Sequence, residues 1–354
     1  MERYINSFST ENDIQIALEN GELLKPYVAY IEDADKIDWN SIEIVDYTTE
    51  YLTFNILSAG TINWAASRAS IIKTIDYKLN NGEWISITSN TSSSAPSIEV
   101  NSGDKLQFRG NNATYANGTS AYNSFGGSAS FETEGNIMSL IYGDDFKNNS
   151  TISSTYVFSR LFRNCTNLVS AENLVLPATT LADYCYEKMF YGCTSLTTAT
   201  ELPATTLANN CYENMFQGCT KLTTAPALPV RTLAKGCYSY MFNGCTSLTT
   251  APELPATTLV QDCYKGMFRQ CTSLTTAPEL PATNLADTCY QFMFNGCASL
   301  NYIKCLATDI SASYPTNGWV QGVASTGKFV KAAGMTSWTT GDSGIPNGWT
   351  VQDA

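Results

Sequence analysis

The residues best equipped for chemistry are cysteines and glutamates, and both recur at fixed spacing. Cys185, Cys211, Cys237, Cys263 and Cys289 form one column, and Cys165, Cys193, Cys219, Cys245, Cys271 and Cys297 form a second. Columns of thiols can ligate a metal or be joined by disulfides. In the first, degenerate copy, however, the place of the first column is taken by Val157, which can do neither. Free cysteine is among the most buried residue types. Stacking at about 4.8 Å would also strain a bridge between copies, so both columns read as buried, reduced thiols. Glu201, Glu253 and Glu279 recur at another position, and adjacent copies would bring Glu253 and Glu279 to the separation of a glycosidase pair. The equivalent residue in a further copy is Ala227, and a solvated carboxylate spread by duplication lacks the unequal environments that make one an acid and the other a base. No catalytic residue, metal ligand or cofactor site is assigned.

Composition narrows the classes further. The 354 residues contain no histidine, which removes Ser/His/Asp and Cys/His nucleophilic machinery and every histidine metal site. With 44% hydrophobic and 15% charged residues the chain is globular. Its net charge of −12 argues against a nucleic-acid partner. No stretch of about 18 apolar residues is present and the N-terminus lacks the apolar core of a secretory signal, so membrane insertion is not expected.

The elements that must position these residues are repeats. The block CYEKMFYGCTSLTTATELPATTLA from Cys185 returns every 26 residues, at Cys211, Cys237, Cys263 and Cys289, and a degenerate copy begins at Val157. Six such units are the signature of a solenoid. Within each, CYxxMFxGC places apolar residues on one face at helical spacing, and LTTAPELP alternates before a proline. The expectation is one short helix and one short strand per coil. From about residue 51 to 141, short alternating runs such as LTFNIL, TINWA and KLQFRG separated by turn signals predict an antiparallel β-sandwich of immunoglobulin-like or jelly-roll type. The fold class is therefore multidomain, α/β and β, with residues 51–141 the sandwich, 142–306 the solenoid and 307–354 a C-terminal cap carrying Trp319, Trp338 and Trp349.

Copies such as MFNGCTSLTTAPELPATTLV, from Met241, resemble the BspA-like leucine-rich repeats of bacterial surface proteins, with the core visible in Phe242, Cys245 and Leu248. The unit departs from the commoner pattern in its 26-residue length and in the Cys-Tyr before Met-Phe. The resemblance implies recognition without chemistry, because the family includes adhesins and receptor-binding proteins. Binding would then fall on the positions that vary between copies: Tyr184, Glu187, Lys188, Tyr191, Asn210, Asn214, Gln217, Tyr240, Asn243, Lys265, Arg269 and Phe292. These mix aromatic and polar types as adaptable surfaces do. The near-invariant Thr and Ala on the opposing strand face are the other candidate surface.

Residues 1–50 hold twelve acidic and three basic residues, with a helix expected from Thr10 to Gly21. Within them KPYVAYIEDADKIDW resembles N-terminal segments of structural proteins from bacteriophages of gut Bacteroidetes. That resemblance implies a non-enzymatic protein of the virion surface or fibre, docked through residues 1–50 onto a basic virion structural protein. Its solenoid would be presented to a glycan or protein of the host surface. The alternatives are a bacterial cell-surface adhesin or glycan-binding protein, and a purely structural decoration protein.

Overall fold

The computed structural model describes residues 46–118 and 120–354, together with two short strands, β1 (Ser7–Phe8) and β2 (Tyr30–Ile31), that pair in parallel. Met1–Asp46 and Tyr47–Ala354 are two separate units. Apart from these two strands, the expected docking segment up to residue 45, with the helix expected from Thr10, lies outside the described residues.

The first part of the larger unit is rich in strands. β3 (Leu52–Ile56), β9 (Lys105–Arg109), β5 (Thr74–Leu79) and β6 (Ile85–Thr88) join β12 (Phe131–Asn136) and β13 (Leu168–Val175) in a six-stranded sheet ordered β13-β12-β3-β9-β5-β6. β4 (Gly60–Ala66), β7 (Asn90–Thr91), β8 (Ser97–Val100), β10 (Ala116–Asn117) and β11 (Ala121–Gly127) form a second sheet. Alternation along these strands places Ile62, Trp64, Phe125, Leu106, Phe108 and Phe131 in one core. All pairings among these strands are antiparallel except β4–β7 and β12–β13. Through the β12–β13 pair the sheet meets the repeats.

The repeats carry the first correction to the sequence reading. The segment CYxxMFxGC is not a helix, and among the described residues the α-helix is confined to Ser139–Tyr142. Alternate backbone N–H groups do different work. Cys185, Met189 and Cys193 donate three residues back, to Ala182, Tyr186 and Phe190, closing tight turns at 3.1–3.2 Å. Tyr186, Lys188 and Phe190 donate instead to Cys211, Glu213 and Met215 of the next copy, at 2.9–3.0 Å. A helix would use every N–H internally, four residues back, and leave none for a neighbouring coil. The backbone achieves this division by entering the left-handed region at every fourth residue, as at Tyr184 (φ 59°), Lys188 (φ 55°) and Gly192 (φ 72°). The result is a ribbon of successive turns whose four-residue pitch imitates helical spacing, so Cys185, Met189 and Cys193 still fall on one side.

The ribbons stack. Phe162, Phe190, Phe216, Phe242, Phe268 and Phe294 form a ring column with neighbouring centroids 5.3–5.9 Å apart, and Tyr186 to Tyr290 form a second at 5.7–6.2 Å. The expected strand in LTTAPELP is reduced to isolated parallel bridges such as Thr224↔Thr250, because proline supplies no N–H to extend the ladder. Ribbon geometry also continues past the last cysteine-bearing copy. Tyr314 (φ 52°), Gly318 (φ 60°) and Gly322 (φ 76°) make a further ribbon that accepts hydrogen bonds from Tyr290, Phe292 and Phe294. Its Trp319 packs against Tyr290 and Phe294 and closes both ring columns. Behind it, β14 (Tyr302–Cys305), β15 (Lys328–Lys331) and β16 (Thr350–Asp353) form a parallel sheet. The indole N–H groups of Trp319 and Trp349 donate to the carbonyls of Gly344 and Ala324. The fold as a whole is repeat-rich and mostly strand and turn, with a β-rich region ahead of the repeats.

Candidate interaction surfaces of the repeats

The cysteines lie in the interior, where the fold gives the second column a specific task. From Cys193 onward each Sγ–H points at a carbonyl of the preceding copy: Cys193 to Phe162, Cys219 to Phe190, Cys245 to Phe216 and Cys271 to Phe242 at 3.1 Å, and Cys297 to Phe268 at 2.9 Å. These carbonyls already accept the turn-closing N–H, for example Cys193 N–H to Phe190, so the thiol fills the second lone pair. All twelve thiols are free and buried. Burial pushes the Cys165, Cys245, Cys297 and Cys305 thiols up to about 12, and the others shift in the same direction. A protonated, enclosed thiol is neither nucleophile nor ligand. Among the described residues no group of three or more His, Cys, Asp or Glu side chains is placed to hold a metal ion.

The variable positions occupy the ribbon edge, and the structure uses most of them for contacts between copies. Glu187 is 1% exposed and receives both Nη1 and Nη2 of Arg160 at 2.8 Å. Lys188 Nζ donates to the same carboxylate at 2.6 Å and Ser159 Oγ donates to it at 3.1 Å. Nearby, burial holds the Glu213 carboxyl above its usual range, with Lys188 opposing the shift, and Asn214, itself buried, donates to Glu213 at 3.1 Å. Tyr184 stacks on Tyr156 at 4.6 Å, and Tyr191 lies under the Arg163 guanidinium at 5.1 Å. Lys265 pairs with Asp262 at 3.4 Å, and Arg269 sits 5.9 Å from the Phe292 ring. Asn243 is buried with its Oδ1 unpaired, and Gln217 is half-buried, its backbone carbonyl accepting from Gly192.

The remaining three show a common device, in which a side chain of one copy lies where the next copy has glycine. Asn210 abuts Gly236, Tyr240 covers Gly266, and a Cβ at Gly318 would fall 2.8 Å from the Phe292 ring. Gly266 is doubly constrained, by the Tyr240 ring and by its φ of +59°. Gly266→Ala is expected to cost about 2 kcal/mol, of which about 1 is backbone strain. On a Tyr240→Ala background the cost should fall to about 1 kcal/mol; urea denaturation of the four proteins in the cycle measures the coupling. The glycines before four of the six second-column cysteines, Gly192, Gly218, Gly244 and Gly296, were the available sign that this face was no helix, and Asn164 and Gln270 take the same left-handed conformation before the other two.

On the opposite side, the segments between ribbons present threonines and prolines to solvent. Thr205, Thr206, Thr223, Thr224, Thr249, Thr250, Thr257 and Thr258 are all exposed. Between the threonine rows two shallow hollows of about 450 and about 410 Å³ share Arg231, Pro252, Glu253 and Pro255. Glu253 and Glu279 both line the larger one, and Glu279 is bridged to Lys304 at 3.1 Å. The candidate pair is therefore solvated and partly neutralised, as expected of surface carboxylates. Arg231 escaped the sequence reading. Its signal was a single departure from the column Thr179, Thr205, Thr257 and Thr283.

Residues 142–233 and 237–313 match, in six copies, the family model described as BspA type leucine rich repeat region. Over these residues the chain is similar to a BspA-type leucine-rich repeat region. The matched span is just under half of the chain. No curated protein and no solved structure matches the chain. The BspA-type array thus begins at the end of the β-rich region and stops short of the Trp319 ribbon. Such repeats point to a surface or adhesion-type protein, and their family is generally non-enzymatic.

Proposed function

We propose that this is a non-enzymatic recognition protein, displayed on a surface, whose BspA-type array contacts a glycan or protein of a host surface. The array itself carries the reading: stacked copies present exposed threonines, such as Thr205, Thr224, Thr250 and Thr257, and exposed carboxylates, such as Glu201, Glu253 and Glu279, at repeated places along one face. In this reading the stacked copies form a solenoid, and the two sheets ahead of them are a β-sandwich that covers its first coil through Phe54 and Phe125 against Phe162. We place the contact on the threonine and proline face, because most of the variable ribbon side chains are already engaged within the array. The half-buried Tyr191, Gln217 and Arg269 remain a second candidate surface.

The carrier we propose is a virion, joined through residues 1–50 to a structural partner. The resemblance of KPYVAYIEDADKIDW to phage structural proteins and the acidity of that segment support it. A bacterial cell-surface adhesin is the second reading, favoured by the repeat family. Neither nucleic-acid binding nor membrane insertion belongs to this proposal, and no helix among the described residues is long and apolar enough to cross a membrane.

Density-gradient separation of particles from envelopes, with peptides of this chain followed by mass spectrometry, tests the carrier. Co-migration with DNA-containing particles is expected, and recovery with the envelope alone would transfer the reading to the adhesin. For the contact face, Thr206→Arg with Thr258→Arg should abolish binding of the purified protein to whole cells. Unchanged cell binding would remove that face from the proposal.

A further inference from the structure

The threonine and proline face is not uniform: Thr200 stands in the place of Pro226 and Pro252, Asn284 in that of Thr258, and in one copy the departures change the charge. In the third cysteine-bearing copy, two changes coincide. The glutamate of the column Glu201, Glu253 and Glu279 becomes Ala227, and the threonine of the neighbouring column becomes Arg231. A negative charge is lost and a positive one gained at adjoining places, in a face whose other repeated charges are carboxylates. Both hollows on this face meet at that spot and share Arg231.

Arg231 is exposed yet oriented. One Nη1–H donates to the Pro255 carbonyl of the next copy at 3.2 Å, which draws the guanidinium across the hollow. Among the described residues it makes no salt bridge, so most of its five donors face solvent, in the fork geometry that matches a carboxylate. The floor is aliphatic, formed by the buried rings of Pro252 and Pro278. Glu253 and Glu279 supply acceptors on the flank, and carboxylates can only accept.

Resting on the recognition function above, we propose that this hollow binds a pyranoside carrying a carboxylate, an acidic sugar unit. Each part of the site has a counterpart in such a ligand. The guanidinium takes the carboxylate bidentately, the flanking glutamates accept from ring hydroxyls, and the proline floor packs against the C–H face. An acidic peptide fits less well, because an extended backbone offers neither the ring hydroxyls that Glu253 and Glu279 would accept from nor a flat C–H face for the proline floor.

The test uses the full chain with oligogalacturonate, its methyl ester and oligoglutamate as probes, in isothermal titration calorimetry at low and physiological salt. Oligogalacturonate should bind, and both the methyl ester and the Arg231→Thr protein, which restores the residue of the column, should bind at least tenfold more weakly. Arg231→Thr should leave thermal stability unchanged, because the side chain it removes is exposed. Equal binding of acid and ester, equal binding by the variant, stronger binding of oligoglutamate, or no binding of oligogalacturonate would each overturn the proposal. Failure here with whole-cell binding intact leaves the surface-recognition reading standing. Sugar binding without any cell binding separates the two in the opposite direction.

Discussion

Raising the pH from 8 to about 10 is expected to unfold the protein in one steep step. Twelve thiols are buried and free, and burial pushes those of Cys165, Cys245, Cys297 and Cys305 up to about 12. A thiol in the unfolded chain titrates near about 8.5. The folded value therefore lies above the unfolded one, so the stabilisation is complete below about pH 8.5 and is lost as pH rises toward 12. Within that window the unfolded chain has released a proton that the folded chain retains. Each thiol then removes about 1.4 kcal/mol per pH unit. A native stability of about 5–15 kcal/mol is exhausted by twelve such groups within about one to two units. Far-ultraviolet circular dichroism and thiolate absorbance, followed together, should change in the same narrow interval. Gradual thiolate formation with native dichroism up to pH 11 would mean that the thiols ionise inside the fold, contrary to the prediction. Cys211→Val with Cys237→Val, which extends the choice already made at Val157, should make the transition shallower.

The second large effect concerns the ion pair between the first two copies. Arg160 and Glu187 have side-chain exposures of 4% and 2%, and the guanidinium spends two N–H groups on the carboxylate. Glu187→Ala leaves a guanidinium enclosed without its paired anion, with the Ser159 hydroxyl, the 5.7 Å approach to Tyr122 and the more distant Glu213 carboxylate to offset it in part. The expected loss is about 3–5 kcal/mol. Lys188 loses the same partner at smaller cost, because its side chain is 24% exposed and can turn its ammonium into water. Arg160→Met combined with Glu187→Met should recover most of the loss, because it removes both desolvated charges and keeps the volume filled. Urea unfolding of the single and double variants measures this, and equal losses in both would show that packing, not charge, sets the cost.

These residues also show where sequence reasoning stops. Glu187 stands in a column that reads Glu213, Ser239, Lys265 and Gln291 in later copies, the pattern of an unconstrained surface position. Only stacking reveals that Arg160 of the preceding copy lies against it. Tyr240 and Gly266, or Phe292 and Gly318, likewise look like drift until the ring of one copy is seen to need the missing Cβ of the next. Variation along one column is compensated in its neighbour, one copy further along the chain.

The sequence by itself determined the period, the six-copy array, the strand-rich region ahead of it and the membership of the core. Repeated identity and apolar spacing are local properties, and burying Cys, Tyr, Met, Phe and Leu in register follows from them directly. The tertiary structure alone decided between helix and turn ribbon. An apolar residue at every fourth position suits both, and what separates them is the destination of alternate N–H groups, which lies 25 residues further along the chain in the next copy. Tertiary structure also decided that Arg231 faces an open hollow while Arg160 is sealed against a carboxylate. A guanidinium has the same chemistry in either place, and only the neighbours that stacking supplies determine whether its charge is spent inside the fold or left for a partner.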